Sequence, residues 1–433
     1  MTKHSLSKLK NGLPVMVVPM AGVESVTVLA LCNTGSRFEQ PREEGIAHFF
    51  EHMVFKGTQS YPTAQILAKS IDSIGADFNA FTSKEYTGYY VKSSSKHVGV
   101  AIDVVSDMLL RPLLKQEDID REKGVIIEEI NMYEDMPMRQ VENIFERMTF
   151  EGSALGHDVL GSKETVSSLK TENFKRFLKQ WYGLGNMVLI LAGDPSVVES
   201  ADTKKLVLEA FSKETDVRAT GKFDVTTKMS KKGPWSPHKL KVAYKKTEQA
   251  HLVLGWPSIA RSDEQKNVLS LASVMLGGNM SSRLFTEVRE KRGLCYYVRS
   301  SADYFHDTGV FGASAGVTPK RIFEAIEVIK AEFTDVASGK RLFTQDELDS
   351  AKEYIIGSMT LSFEDSESVA QYYGLRQLLN NKAEDPDEVI AKLRKITLEE
   401  VHALMKEIIQ PGALRLAVVG PYKSDAQFKK FLA

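Results

Sequence analysis

The sequence predicts an α/β (α+β) chain of two homologous domains, each a mainly antiparallel sheet packed by helices. Three observations lead there. A chain of 433 residues is too long for one ordinary hydrophobic core. Short β-branched or apolar runs alternate with longer amphipathic stretches in both halves. Segments of the first half also recur in the second. Gln116–Lys123 matches Gln345–Lys352 at an offset of 229, Leu189–Gly193 matches Leu416–Gly420 at 227, and His52–Gly57 matches Ser273–Gly278 at 221.

The first half reads in order. Residues 6–19 form two strands around Asn11-Gly12, a hairpin turn signal. Ser25–Thr34 is a buried strand that Gly35 breaks. A helix runs from about Glu43 to Lys56, and Pro62 opens another that Gly75 closes. Gly75–Ser83 and Tyr86–Val91 read as a strand pair, and residues 97–111 as an amphipathic helix. A long helix starts near Gln116 and runs beyond Met132. Further helices cover 163–182 and Ser196–Phe211, with the apolar strand Met187–Ala192 between them.

From about 213 to 237 no apolar period persists, so the chain divides into domains at 1–213 and 238–433 with a linker at 214–237. The second half repeats the plan. His251–Gly255 is a strand, Asp263–Leu276 a helix, Val298–Ala315 strands and 319–337 a helix. A long helix begins at Gln345, and Arg415–Val419 is the last core strand.

Composition narrows the classes of function. Hydrophobic content of 42% and charged content of 26% suit a soluble globular chain, and a net charge of −1 gives no global attraction to nucleic acid or anionic membrane. No apolar run reaches membrane-spanning length, and the start lacks a secretory core, so cytoplasm is the expected location. Cys32 and Cys295 have no metal or redox spacing, and Cys295 reads as a small core residue.

One stretch carries chemistry. In His48-Phe49-Phe50-Glu51-His52 the two imidazoles lie four apart, on one helix face, with Glu51 one step round. Two His at this spacing suit zinc, and the interleaved Glu suits a general base for metal-bound water. The order His-x-x-Glu-His inverts the commoner zinc helix. Such a zinc needs a third protein ligand. The long helix at 116–134 offers Glu122, Glu128 and Glu129. Glu122 and Glu129 are seven apart on one face, so one could bind metal while the other supports it. Under the internal registers His48, Glu51 and His52 fall opposite Leu269, Ala272 and Ser273, and Glu129 opposite Ser358. The second half therefore keeps the fold and lacks the metal set.

The stretch Gly45–Thr58, the run Gly75-Ala-Asp-Phe-Asn-Ala-Phe-Thr82 and Glu122-Lys-Gly-Val-Ile-Ile-Glu-Glu129 resemble the pitrilysin family of inverted-zincin metallopeptidases, over essentially the whole chain. The size and duplicated halves resemble its processing-peptidase subfamily. In that family the third ligand ends a Glu-rich run about 77 residues after the second His. The resemblance thus selects Glu129, which is 77 after His52, and puts Glu122 in the supporting place. It implies that Arg289 and Tyr296, seven apart in the second half, hold a substrate carbonyl and support its oxyanion. It also implies that Asn79 and Ala80 lie on an exposed strand edge to which a peptide adds as another strand.

The function expected from all this is zinc-dependent endopeptidase action on short or unfolded peptides, with Zn(2+) bound once per chain. The family builds its chamber from four such domains, so a two-domain chain is expected to form a homodimer, with Arg289 and Tyr296 acting in trans. Some relatives are non-catalytic partners or scaffold subunits. Those typically lose metal residues, whereas this sequence retains each one.

Overall fold

The computed structural model describes residues 3–212 and 235–432, so the expected linker at 214–237 lies mostly outside the described residues. Along the first half run β1 (Ser5–Lys8), β2 (Pro14–Pro19) and β3 (Ser25–Cys32), then α1 (Ile46–Met53) and α2 (Ala64–Asp72). Next come β4 (Asp77–Thr82), β5 (Thr87–Ser94), α3 (Val98–Leu110), α4 (Gln116–Asp135) and α5 (Pro137–Thr149). The half ends with α6 (Lys163–Ser168), α7 (Thr171–Trp181), β6 (Met187–Gly193), α8 (Pro195–Val198) and α9 (Ala201–Ser212). The second half holds β7 (Leu240–Tyr244), β8 (Ala250–Ser258), α10 (Lys266–Gly277), β9 (Cys295–Tyr304), β10 (Gly309–Val317) and α11 (Ile322–Ala337). It closes with α12 (Gln345–Ser362), α13 (Ser366–Asn380), α14 (Pro386–Lys395), α15 (Leu398–Ile408) and β11 (Arg415–Gly420).

The first sheet has the order β1-β2-β6-β3-β5-β4 and the second β7-β11-β8-β10-β9. Apart from β1 the two orders are the same. Each sheet is antiparallel except for one parallel pair, β2 with β6 and β7 with β11. The Asn11-Gly12 turn closes the β1–β2 hairpin with Ser5 opposite Val17. The expected helix at 163–182 is two helices, because the chain is extended at Leu169 and Lys170. Cys295 is half-buried at the start of edge strand β9 rather than in the core.

The chain forms two compact units, and these do not follow the halves. Residues 131–156 belong with the second sheet, and Met359–Asp387 belong with the first. In the first unit α1 and α3 cover one face of the sheet, burying Phe49, Phe50, Val91 and Ile102. The other face buries Leu29, Leu31, Val188 and Ile190 under Val369, Ala370 and Tyr373 of α13. Gly374 makes that approach possible, since a Cβ there would sit 2.7 Å from Ile190 Cδ1. In the second unit α10, α11 and α15 cover one face of the sheet. Val141, Phe145 and Met148 of α5 close the other face over Val310, Ala417 and Val419. Each sheet is thus covered on its far side by a helix from the other half of the sequence. The α5 helix is strongly amphipathic and α13 only weakly so, and nothing local marks which apolar sheet face either will meet.

Candidate metal centre

The site is built on α1, a helix of eight residues with a buried start. Its N-cap is Gly45, at φ 93, a left-handed conformation that favours glycine. A Cβ on Gly45 would lie 2.4 Å from the Leu160 carbonyl oxygen, so backbone packs on backbone there. The helix lacks a capping side chain at its own N-cap. Glu39 replaces it: Oε2 accepts from the Gly45 N–H and Oε1 from the Ala47 N–H, both at 2.8 Å. These bonds satisfy donors that a helix start leaves open. Burial pushes the Glu39 carboxyl up to about 8, against the pull of the two N–H donors. The helix is shorter than the expected 43–56 because its first turn begins at this cap and because residues 54–56 form a turn, with the Phe55 and Lys56 N–H groups bonded three residues back.

His48 and His52 project from one face of α1, their ring centroids 4.7 Å apart. Glu129 arrives from α4. Its Oε2 lies 3.6 Å from His48 Nε2 and 3.4 Å from His52 Nε2. One donor atom from each of the three residues falls within 4.8 Å of the others, and among the described residues this is the only such group of His, Cys, Asp or Glu. Two imidazole nitrogens and a carboxylate oxygen are a donor set that fits zinc, with further coordination positions left for water and substrate. Glu128 is exposed on another face of α4 and is not in the group.

Glu122, one face-repeat before Glu129, is buried behind His52. Its Oε1 is 2.9 Å from His52 Nδ1, and its Oε2 is 2.6 Å from Lys56 Nζ. Engaging Nδ1 holds the ring and turns Nε2 towards Glu129. Burial pulls the His52 imidazole down, but the Glu122 and Glu129 carboxylates reverse this and hold it at about 9. Burial, and then the neighbouring His52, lower His48 to about 4. Burial raises Glu122, yet its bonds to His52 and Lys56 leave it below the usual carboxylate range. Glu129 is lowered chiefly by its bond to His52. A divalent cation would meet the Glu129 carboxylate, and His52 would give up the proton that the two carboxylates hold on it in order to bind.

Glu51 is half-buried beside these donors, and its Oε2 accepts from the Thr82 hydroxyl at 2.6 Å. Burial raises its pKa, the direction a general base working near neutrality needs, although the Thr82 bond opposes the rise. Thr82 ends β4, the edge strand of the sheet, and among the described residues β4 pairs with β5 alone. Asn79 is exposed on that edge, and its Oδ1 accepts from the Ala80 N–H at 2.9 Å. Alternation puts Phe78 and Ala80 on the α1 face of the sheet with Thr82, and Phe81 on the α13 face.

Arg289 and Tyr296 lie in the second unit. Arg289 sits in a π-helical turn, Phe285–Glu290, of a kind often found at functional positions. Its guanidinium is 4.7 Å from the Phe285 ring centroid and 5.3 Å from that of Tyr296, so the two predicted residues meet as a cation–π pair. Tyr296 is 73% exposed. Glu287 anchors the turn through Lys291, Arg292 and Arg341.

Three residues of the site have no role in the sequence reading. Thr82 stood inside the Asn-Ala-Phe-Thr run, two positions from Ala80, and strand alternation could have pointed to it. Lys56 lies four after His52, which is a helical neighbour spacing. Glu39 left no signal, because its partners are backbone groups reached through a loop.

Comparison with known proteins gives the family and the fold. Residues 15–163 match the model of the insulinase family, peptidase family M16, and residues 168–355 match the model of the M16 inactive domain. An uncharacterized zinc protease of Streptomyces coelicolor is 34% identical over 96% of this chain and 89% of its own length. One of Bacillus subtilis is 34% identical over 95% of this chain and 97% of its own. The fold superposes on a protease from Helicobacter pylori with a TM-score of 0.85 at 22% identity, covering 97% of this chain and 100% of that one. The relatives are zinc proteases by name, and among the described residues no helix is long and apolar enough to cross a membrane. With residues 15–163 matching the insulinase model and 168–355 the inactive-domain model, the chain belongs to the M16 (pitrilysin) peptidase family.

Proposed function

We propose that this chain is a zinc endopeptidase of short or unfolded peptides. The observation that carries the reading is the convergence of His48, His52 and Glu129 within 4.8 Å, beside the carboxylate of Glu51. His48, His52 and Glu129 would hold one zinc ion per chain, which would supply a Lewis acid for a water and a peptide carbonyl. Glu51 takes the proton of that water and passes it to the leaving amine. Glu122 orients His52. The outer edge of β4, at Asn79 and Ala80, pairs with the peptide main chain, which gives broad sequence tolerance. Arg289 and Tyr296 hold the carbonyl and its oxyanion.

We further propose a cytoplasmic homodimer in which Arg289 and Tyr296 of one chain serve the peptide at the other chain's metal site. The reading is tested by metal content and by cleavage of an unfolded peptide. We expect about one zinc per chain, cleavage that a chelator stops, and no cleavage by Glu51→Gln. A chain without zinc and without cleavage ends the peptidase reading and leaves the scaffold one. Mixing Glu51→Gln with Tyr296→Phe subunits tests action in trans, since recovered activity requires mixed dimers that share one intact site.

A further inference from the structure

We propose that Thr82 is a positioning residue for Glu51, which it ties to the edge strand that receives the peptide; this rests on reading Glu51 as the general base. The Thr82 hydroxyl donates to Glu51 Oε2 at 2.6 Å. With Oε2 engaged, Oε1 is the oxygen left to take a proton, and rotation of the carboxylate is restrained. Thr82 is itself held from below. It pairs across the strands with Thr87, whose hydroxyl is 3.1 Å from Tyr182 OH, and Tyr182 OH is 2.8 Å from Tyr89 OH. Both tyrosine rings are fully buried. A rigid layer therefore backs the strand end.

A bond between helix and edge strand is not by itself catalytic. In the second unit Ser273 of α10 meets Ser300 of β9, hydroxyl to hydroxyl at 3.0 Å, with no metal set nearby among the described residues. What distinguishes Thr82 is its partner, an ionisable carboxylate beside the metal ligands. Pairing of a peptide on β4 and orientation of Glu51 then share one strand, so the register of the peptide and the direction of the base are set together.

The test compares Thr82→Val, which keeps the shape and removes the donor, with Thr82→Ser, which keeps the donor. For a fluorogenic unfolded peptide, we expect Thr82→Val to lower kcat by about 10–100-fold with KM within about twofold. Zinc content should match the parent, and Thr82→Ser should recover kcat to within about threefold. A second readout needs no turnover. In metal-free protein the melting shifts of Thr82→Val, Glu51→Ala and the double variant should be non-additive if the bond is made. Additive shifts, kcat within about twofold of the parent for Thr82→Val, or equal damage by Val and Ser would each overturn the proposal. A parent chain that binds zinc and cleaves no peptide would instead overturn the peptidase reading, and the melting cycle would still decide whether Thr82 holds Glu51.

Discussion

Helices α1 and α10 each lie against the edge strand of their own sheet, β4 and β9, and the sheets share one strand order. On α1 the face towards the edge carries His48, Glu51 and His52. On α10 the equivalent positions are Leu269 and Ala272, both fully buried, and Ser273. The correspondence continues on the long helices. Glu122 falls opposite Ala351, buried in the second core, and Glu129 opposite Ser358. The same scaffold thus stands with an ionisable cluster in one unit and with small or apolar uncharged residues in the other. The fold does not need the cluster. The first unit keeps a set of partly buried ionisable groups, paired with one another, that the same scaffold does without in the second.

The comparison can be broken or sharpened by experiment. The largest expected effect is on turnover. Glu51→Gln should lose about 10²–10⁴ in kcat while keeping its zinc, measured by peptide cleavage and metal analysis. If that variant keeps its activity, the cluster is not the catalytic half of the comparison.

Exchanging residues between the units comes next. His48→Leu places the apolar counterpart into α1. Because His48 Nδ1 is buried and meets no hydrogen-bond partner among the described residues, chelated His48→Leu should unfold within about 1 kcal/mol of the parent while losing zinc binding. The reverse change, Leu269→His, buries a polar ring in the second core and should cost roughly 2–4 kcal/mol in denaturant unfolding. A smaller effect follows from Glu122→Gln, which weakens the hold on His52 and should lower zinc affinity by about 10–100-fold in a chelator competition.

The smallest effect concerns the second unit. Glu287, bonded first to Lys291 and then to Arg292, is lowered from 4.5 to about 2. Its folded form binds a proton more weakly than its unfolded form, so protonation favours unfolding. The stability it adds is present above about pH 4.5 and is lost as pH falls towards about 2. Acid unfolding of Glu287→Gln should therefore be less steep in that window than that of the parent. The zinc content of the variant should not change.

Much of this was legible in the sequence for a local reason. The duplication showed as recurring strings, and the strand order repeats with it. His48, Glu51 and His52 were legible because a helix converts a spacing of four into a shared face. The third ligand was less so. Periodicity alone puts Glu122 and Glu129 on the same face, and the resemblance chose between them. In the structure the two divide the work: Glu129 faces both Nε2 atoms, and Glu122 takes Nδ1 of His52 from behind. Arg289 and Tyr296 were legible only through resemblance, since an exposed tyrosine and a helical arginine are ordinary in isolation.

By itself the sequence determined the two sheets, the mainly antiparallel pairing and the helix that presents two imidazoles, because periodicity and turn chemistry act over a few residues. Only the tertiary structure decided which helix covers which sheet. It brought α5 onto the second sheet and α13 onto the first, because burial of an apolar face rewards any matching face and carries no address. It also decided what surrounds the pentapeptide. The Glu39 cap, the Thr82 hydroxyl on Glu51 and the Lys56 support for Glu122 are contacts made through loops, across strands and between helices. Their energies depend on distance in space, and that distance is set only when the core has closed around them.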